Sequence, residues 1–151
     1  MKIVVQRVKN ASVTIDNELF SSIDQGYLIL FGVDKNDTKT QADWLARKIS
    51  VLRCFPDENG KMNLSIKDIQ GEILIVSQFT LCGDIKKGTR PSFDNAMLPI
   101  EAKEMYEYFI SKVAEQNIPV KTGVFAAHMD VSLLNDGPVT FVVNAPNLSN
   151  H

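Results

Sequence analysis

Apolar and polar positions alternate from the first residues of the chain. Val4, Gln6 and Val8 fall on one side of an extended segment and Val5 and Arg7 on the other. Val13 and Ile15 then alternate with Ser12 and Thr14, the period of two that marks β-strands. Asp16-Asn17 reads as a hairpin turn into a short strand over residues 19–23. Gly26 introduces residues 27–33, an almost unbroken apolar run that suits a strand covered on both faces. The period then changes. Ala42, Leu45, Ile49 and Leu52 recur at helical spacing, and Thr38 with Gln41 forms the capping box expected at the start of such a helix. A second helix follows Pro99, with Ala102, Met105, Tyr106, Phe109, Ile110 and Val113 as its apolar stripe. Glu101, Lys103, Glu104, Glu107 and Lys112 form its polar face, and Pro119 closes the segment. Residues 72–81 read as a central strand that turns polar partway along, and residues 120–125, 129–134 and 139–144 as three more strands.

Strand runs at both ends with two separated helices predict an α+β domain of mixed or antiparallel sheets covered by two main helices. A doubly wound parallel fold fits poorly, because the first strands are joined by hairpins. There is no internal repeat, low-complexity tract or long linker, so residues 1–151 read as a single domain.

Composition narrows the function. At 44% apolar and 23% charged over 151 residues, the chain can bury a sizeable core. Sixteen Lys plus Arg against eighteen Asp plus Glu leave a net charge of −2. That excludes a broadly basic surface that holds nucleic acid by bulk electrostatics, but not a local basic patch. Cys54 and Cys82 are too few for a disulfide framework or a four-thiolate zinc site and read as small apolar residues. With His128 and His151 as the only histidines, no metal is expected. No Gly-x-Gly-x-x-Gly or Walker-type loop exists, so no nucleotide cofactor is expected either. Residues 3–8 are too short and too charged for a signal-peptide core, and the run at 27–33 is far below the roughly 20 residues of a membrane span. The Asn-x-Ser sites at Asn10, Asn63 and Asn147 carry no weight without a secretory route, and a reduced cytoplasmic location is expected.

Three stretches carry candidate chemistry. In Ser77-Gln78-Phe79-Thr80, hydrogen-bonding side chains follow at once on a buried strand. They could hold an ester carbonyl or place a water, or they could mark a strand emerging into solvent. Thr80 as a nucleophile needs a base to take its proton, and only His128 offers an imidazole, with no spacing that brings it close. Asn135-Asp136-Gly137-Pro138-Val139-Thr140 is first of all a turn between strands, and its X-Pro bond is expected trans, since only about 5–6% of such bonds are cis. Lys86-Lys87-Gly88-Thr89-Arg90-Pro91-Ser92 sets three cations against Asp84. It suits a phosphate contact or a solvated loop, and it directly follows the Ser-Gln-Phe-Thr stretch.

Together these residues resemble the D-aminoacyl-tRNA deacylases, also called D-tyrosyl-tRNA deacylases. The likeness rests on Val5-Gln6-Arg7-Val8, Gly60-Lys61-Met62-Asn63, Val76-Ser77-Gln78-Phe79-Thr80-Leu81, residues 87–93 and Asn135-Asp136-Gly137-Pro138-Val139-Thr140. One departure is Phe125-Ala126-Ala127-His128-Met129, where the family commonly has Phe-Gly-Ala-Asp-Met, so His128 is not an obligatory catalytic group. The resemblance implies a barrel-like homodimer that hydrolyses the ester between a D-amino acid, or glycine, and the terminal adenosine of tRNA. It implies that Gly137-Pro138 is a Gly-cis-Pro pair reaching into the partner's active site and rejecting L-amino acids by clash. It also implies a reaction assisted by the tRNA's 2′-hydroxyl, with Ser77, Gln78, Phe79 and Thr80 as the catalytic strand. Ala127 and Met129 would support the pocket, Arg7 would brace the pocket or the Gly-Pro segment, and Lys86, Lys87 and Arg90 would meet tRNA phosphates. Two rival classes remain: a hydrolase with a Thr80 acyl-enzyme, and a non-enzymatic nucleic-acid-binding module. A eukaryotic branch linked to DNA replication carries extra C-terminal sequence, whereas this chain stops at His151, soon after its last strand.

Overall fold

In a computed structural model of the chain, which describes residues 1–148 and leaves His151 outside, the opening alternation becomes one strand, β1 (Lys2–Ile15). β1 is long enough to serve two neighbours in turn. Its first half pairs antiparallel with β3 (Gly26–Gly32), and its second half with β2 (Glu18–Ile23). Between β1 and β2, Asp16 and Asn17 have φ of 51° and 64°, the positive pair that a type I′ hairpin requires.

On the far side of β3 the sheet is parallel. β6 (Glu72–Ser77) adds to β3, and β7 (Val120–Thr122) adds to β6. Parallel neighbours need long crossovers. The first contains α1 (Lys39–Val51) and a small hairpin of β4 (Arg53–Pro56) and β5 (Met62–Ser65). The second contains a 3₁₀ turn (Phe79–Cys82) and α2 (Pro99–Ala114). The sheet is therefore mixed, and two helices cover it, as the patterning predicts. Its order is β2-β1-β3-β6-β7, and its two ends approach one another without a β-ladder. The Ser21 hydroxyl donates to the Thr122 carbonyl at 2.7 Å, and Lys121 Nζ to the Ser22 carbonyl at 2.8 Å. This side-chain seam gives the sheet its barrel-like closure.

Successive residues of β3 and β6 face opposite ways and bury both sides. Tyr27, Ile29, Phe31, Ile73 and Ile75 pack towards the helices, against Leu45, Ile49 and Phe109. Leu28, Leu74 and Val76 pack inside the curl of the sheet with Val8, Val13 and Ile23. Phe31 stacks on Phe109 with ring centroids 4.8 Å apart. Each such buried side chain contributes roughly 1.5–3 kcal/mol. The parallel pair starts at Gly26, where a Cβ would lie 1.8 Å from the Glu72 carbonyl oxygen, so only glycine allows the two backbones to meet there. At the start of α1, Gln41 Oε1 accepts from both the backbone N–H and the hydroxyl of Thr38, at 2.8 and 2.7 Å, which agrees with the capping expectation.

Three expectations need correction. The strand expected over residues 72–81 ends at Ser77. The Gln78 N–H donates to the Phe31 carbonyl at 2.7 Å, and the chain then tightens into the 3₁₀ turn, with the Leu81 N–H on the Gln78 carbonyl. The strand expected at 120–125 stops at Thr122, opposite Ile75, although β6 itself runs on to Ser77. The strands at 129–134 and 139–144 are one element, β8 (Asp130–Asn144), which runs antiparallel along the other edge of β1. The Asn-Asp-Gly-Pro segment is accordingly no turn between strands. It is a bulge: Gln6 faces Thr140 and Val8 faces Asn135, so an advance of two residues on β1 meets an advance of five on β8.

Candidate active site

Where β6 ends, the sheet opens into a cavity of about 860 Å³. Ser77, Gln78, Phe79 and Thr80 form one edge of it. Gln6, Leu28, Leu30 and Val76 form its floor, and Phe93, Leu98 and Pro99 one side. Ala126, Ala127, His128 and Met129, on the loop between β7 and β8, form the opposite wall. The cavity is thus apolar with one polar edge, the usual form of a small-molecule site. All four residues of the Ser-Gln-Phe-Thr stretch come together here, as do Ala127 and Met129.

The polar edge is held from behind. The Tyr106 hydroxyl of α2 donates to the Ile75 carbonyl at 2.6 Å, two residues before Ser77. Burial pushes that phenol up to about 12, against the opposing pull of nearby backbone donors, so it remains a neutral donor. The Gly123 N–H also reaches the Ile75 carbonyl, at 3.2 Å, which ties the His128 loop to the same rung of β6. At the edge itself, Gln78 Nε2 donates to Thr80 Oγ1 at 3.0 Å. Phe79 is 60% exposed, and its ring meets Phe93 edge-on with centroids 4.9 Å apart.

Thr80 lacks the environment of a nucleophile. Its oxygen already accepts a hydrogen bond from Gln78, and the cavity wall contains no carboxylate, lysine or thiol among the described residues. The only ionisable side chain in the wall is His128, and it is 96% exposed. Cys82 lies buried outside the wall. Burial, reinforced by the neighbouring Asp34 carboxylate, pushes its thiol up to about 12, and burial also raises Cys54. Neither thiol is activated for attack.

Gly137 and Pro138 are exposed on the β8 bulge and are not part of the cavity wall of their own chain. The bond between them is cis, where the pattern alone predicts trans, and Gly137 has φ of 140°. Arg7 secures the bulge from the helix-covered side of β1. Its side chain, facing opposite to Gln6, donates through Nε to the Asp136 carbonyl at 3.0 Å and through Nη1 to the Cys54 carbonyl of β4 at 2.6 Å. The Asp136 carboxylate lies 3.5 Å from Nε. Within the bulge, Asn135 accepts from the Val139 N–H at 2.8 Å and donates to the Thr140 hydroxyl at 3.0 Å. Of the β4–β5 hairpin that supplies the Cys54 carbonyl, the sequence shows the turn at Gly60-Lys61-Met62-Asn63 but not the two short strands.

Lys86, Lys87 and Arg90 also lie outside the cavity wall. They are exposed on a loop pinched shut by reciprocal backbone bonds between Asp84 and Ser92, at 2.8 and 2.9 Å, and Asp84 caps the Lys86 N–H at 2.9 Å. No helix among the described residues is long and apolar enough to cross a membrane.

Comparison with known proteins agrees with this geometry. The family model described as D-Tyr-tRNA(Tyr) deacylase matches residues 4–144. A D-aminoacyl-tRNA deacylase of Geotalea uraniireducens is 56% identical over 146 residues, which span 97% of this chain and 94% of that one. One from Thermodesulfovibrio yellowstonii is 55% identical over 141 residues, covering 93% and 97%. Among solved structures, a c-Myc DNA Unwinding Element Binding Protein superposes with a TM-score of 0.90 at 42% identity, covering 97% and 99%. A probable eukaryotic D-amino acid tRNA deacylase, at 15% identity and a TM-score of 0.80 over 94% and 97% of the two chains, shares the fold. With its sequence matched almost end to end and its cavity built on the Ser-Gln-Phe-Thr strand, the chain belongs to the D-Tyr-tRNA(Tyr) deacylase family.

Proposed function

We propose that this chain, a hydrolase of its family, is a cytoplasmic editing enzyme. It cleaves the ester that joins a D-amino acid, or a wrongly attached glycine, to the 3′-terminal adenosine of tRNA. The reading is carried by one observation: a cavity large enough for an aminoacyl nucleoside whose polar edge, Ser77 to Thr80, meets no carboxylate, lysine or thiol in the wall among the described residues, with solvent-exposed His128 its one imidazole. Chemistry without a buried protein base points to the substrate as its source. The terminal ribose 2′-hydroxyl assists ester cleavage, while backbone N–H groups around Phe79 and Thr80 receive the developing oxyanion. Such a donor is typically worth roughly 2.7–4 kcal/mol. Ser77 and Gln78 hold the adenosine, Thr80 positions the ester, and Ala127 and Met129 line the amino-acid side. Lys86, Lys87 and Arg90 meet acceptor-end phosphates, which gives a modest salt dependence. No metal or organic cofactor enters the reaction.

Chiral selection needs a second subunit. The Gly137-Pro138 segment lies outside its own cavity, so a homodimer presents it to the partner's site, where its backbone crowds an L side chain and leaves glycine and D side chains untouched. Two features favour such an assembly. β8 pairs only with β1 and leaves its outer edge free, and that strand exposes Leu134, Phe141 and Val142.

Hydrolysis of D- and L-tyrosyl-tRNA tests the assignment, since equal rates on the two would remove chiral editing. Thr80→Ala is expected to keep much of its activity, whereas a terminal 2′-deoxyadenosine abolishes the reaction. An inactive Thr80→Ala in a correctly folded dimer, or a trapped acyl-enzyme, restores the nucleophile reading. The DNA-binding name of the 42% identical structure favours one further reading, a nucleic-acid-binding module. Tight duplex DNA binding without ester hydrolysis would support that alternative.

A further inference from the structure

His128 is the one ionisable side chain in the cavity wall among the described residues. The loop that presents it is fixed on both sides: Ala127 donates its N–H to the Val124 carbonyl at 3.2 Å, and Met129 packs on the inner core. The imidazole itself is not tied down. It is 96% exposed, and the Asp130 carboxylate at the start of β8, itself 71% exposed, stands with Oδ1 3.9 Å from Nε2. That separation is too long for a hydrogen bond, so the ring is free to take an anionic partner from solution. The walls contributed by β1, β3, β6, the 3₁₀ turn and α2 add no charged group.

On the reading that an aminoacyl-adenosine end fills this cavity, the substrate presents few charges nearby. The α-ammonium enters with the amino acid, and a cation-capable imidazole would not attract it. The first negative charge outward from the ester is the phosphodiester on the 5′ side of the terminal adenosine. It must leave through the mouth, where His128 stands. We infer that His128 is a substrate-binding residue whose imidazole contacts this phosphodiester and so sets how firmly the acceptor end is held. Lys86, Lys87 and Arg90, outside the wall, act on phosphates further along the strand.

A pair of ligands separates this contact from other effects of substitution. Adenosine and its 5′-(methyl phosphate) ester differ only in one phosphodiester charge, and both can be titrated into the intact protein by NMR. In the wild type the ester binds about 2- to 5-fold more tightly than adenosine, the range of an exposed ion pair. His128→Gln removes that preference, His128→Lys keeps it, and His128→Asp reverses it. A merely structural role would weaken both ligands alike and leave the ratio unchanged. An unchanged ratio in His128→Gln, or no binding of either ligand by the wild type, overturns the inference. Hydrolysis of D-tyrosyl-tRNA is scored separately. Its absence in a protein that still prefers the phosphate ester would discard the editing reaction and leave the contact standing.

Discussion

Arg7 offers the sharpest test of how the fold serves the site. Only 9% exposed, it joins the β8 bulge to the β4–β5 hairpin through its bonds to the Asp136 and Cys54 carbonyls. Arg7→Met fills most of the same space but removes both donors and leaves two inward-facing carbonyls without partners. A hydrogen bond from a charged donor is worth about 1.5–3 kcal/mol, so two of them put the loss at about 3–6 kcal/mol. For a domain of this length each kcal/mol moves Tm by about 2–4 °C, so a fall of about 6–24 °C is expected. Set against a total stability of about 5–15 kcal/mol, a loss of that size requires the activity to be read at low temperature and normalised to the folded fraction given by circular dichroism. Thermal unfolding gives the first number. The ratio of D- to L-tyrosyl-tRNA hydrolysis gives the second, and it should fall, because a bulge no longer held from inside cannot keep Gly137 and Pro138 in place. Arg7→Lys should recover part of the stability, since one ammonium reaches one carbonyl but cannot fork to two. Asp136→Asn should cost under about 1 kcal/mol, because its carboxylate is partly exposed and 3.5 Å away. If Arg7→Met melts within 1–2 °C of the wild type, or loses stability with an unaltered D/L ratio, the reasoning fails.

Two further outcomes concern stability. Ala126 has φ of 65°, a left-handed conformation that costs a side-chain-bearing residue about 1–2 kcal/mol. Ala126→Gly should therefore gain about 1 kcal/mol and raise Tm by about 2–4 °C, and an unchanged or lower Tm would contradict it. In alkali the folded chain should weaken. The Cys82 thiol, ordinarily at 9.0, and the Tyr106 phenol, ordinarily at 10.0, are each pushed up to about 12 by burial. Burial also raises Tyr27. The unfolded chain releases these protons first, so the urea midpoint should hold below about pH 9 and fall as pH rises towards 12. Cys82→Ala should make that fall shallower. A midpoint flat from pH 8 to 11 would refute it.

Local periodicity was enough for the elements whose pattern is also their environment. β1 alternates because one face is core, β3 is apolar throughout because both of its faces are buried, and α1 and α2 carry stripes that end up buried at Leu45, Ile49, Phe109 and Val113. Where long-range pairing decides, the reading went astray. Residues 135–140 have ideal turn chemistry, yet β1 continues past them, and pairing on both sides absorbs the extra residues as a bulge. β6 stops at Ser77 because β3 runs out at Gly32, a limit set by a strand more than forty positions earlier. The site was legible in type, since a polar run on a buried strand is anomalous wherever it occurs. Its separation from Gly137-Pro138 was not, because which wall a bulge faces depends on the opposite directions of Gln6 and Arg7. The β4–β5 hairpin left little trace, with register shifts at two of its steps and only four residues in each strand.

The seam between β2 and β7 bears on how the cavity accommodates different guests. Two side-chain contacts, from Ser21 and Lys121, stand where a ladder of backbone bonds would otherwise lock the closure. Such a junction can part and re-form without breaking any strand pairing, so it opens at lower cost than an edge closed by a backbone ladder. β7 runs directly into the loop that carries Phe125 to Met129, but the Gly123 N–H on the Ile75 carbonyl anchors that loop to the rung held by Tyr106, so the seam can part while both cavity walls stay in place. A guest of any bulk is then met by the same walls, and the scaffold holds the ester in constant geometry.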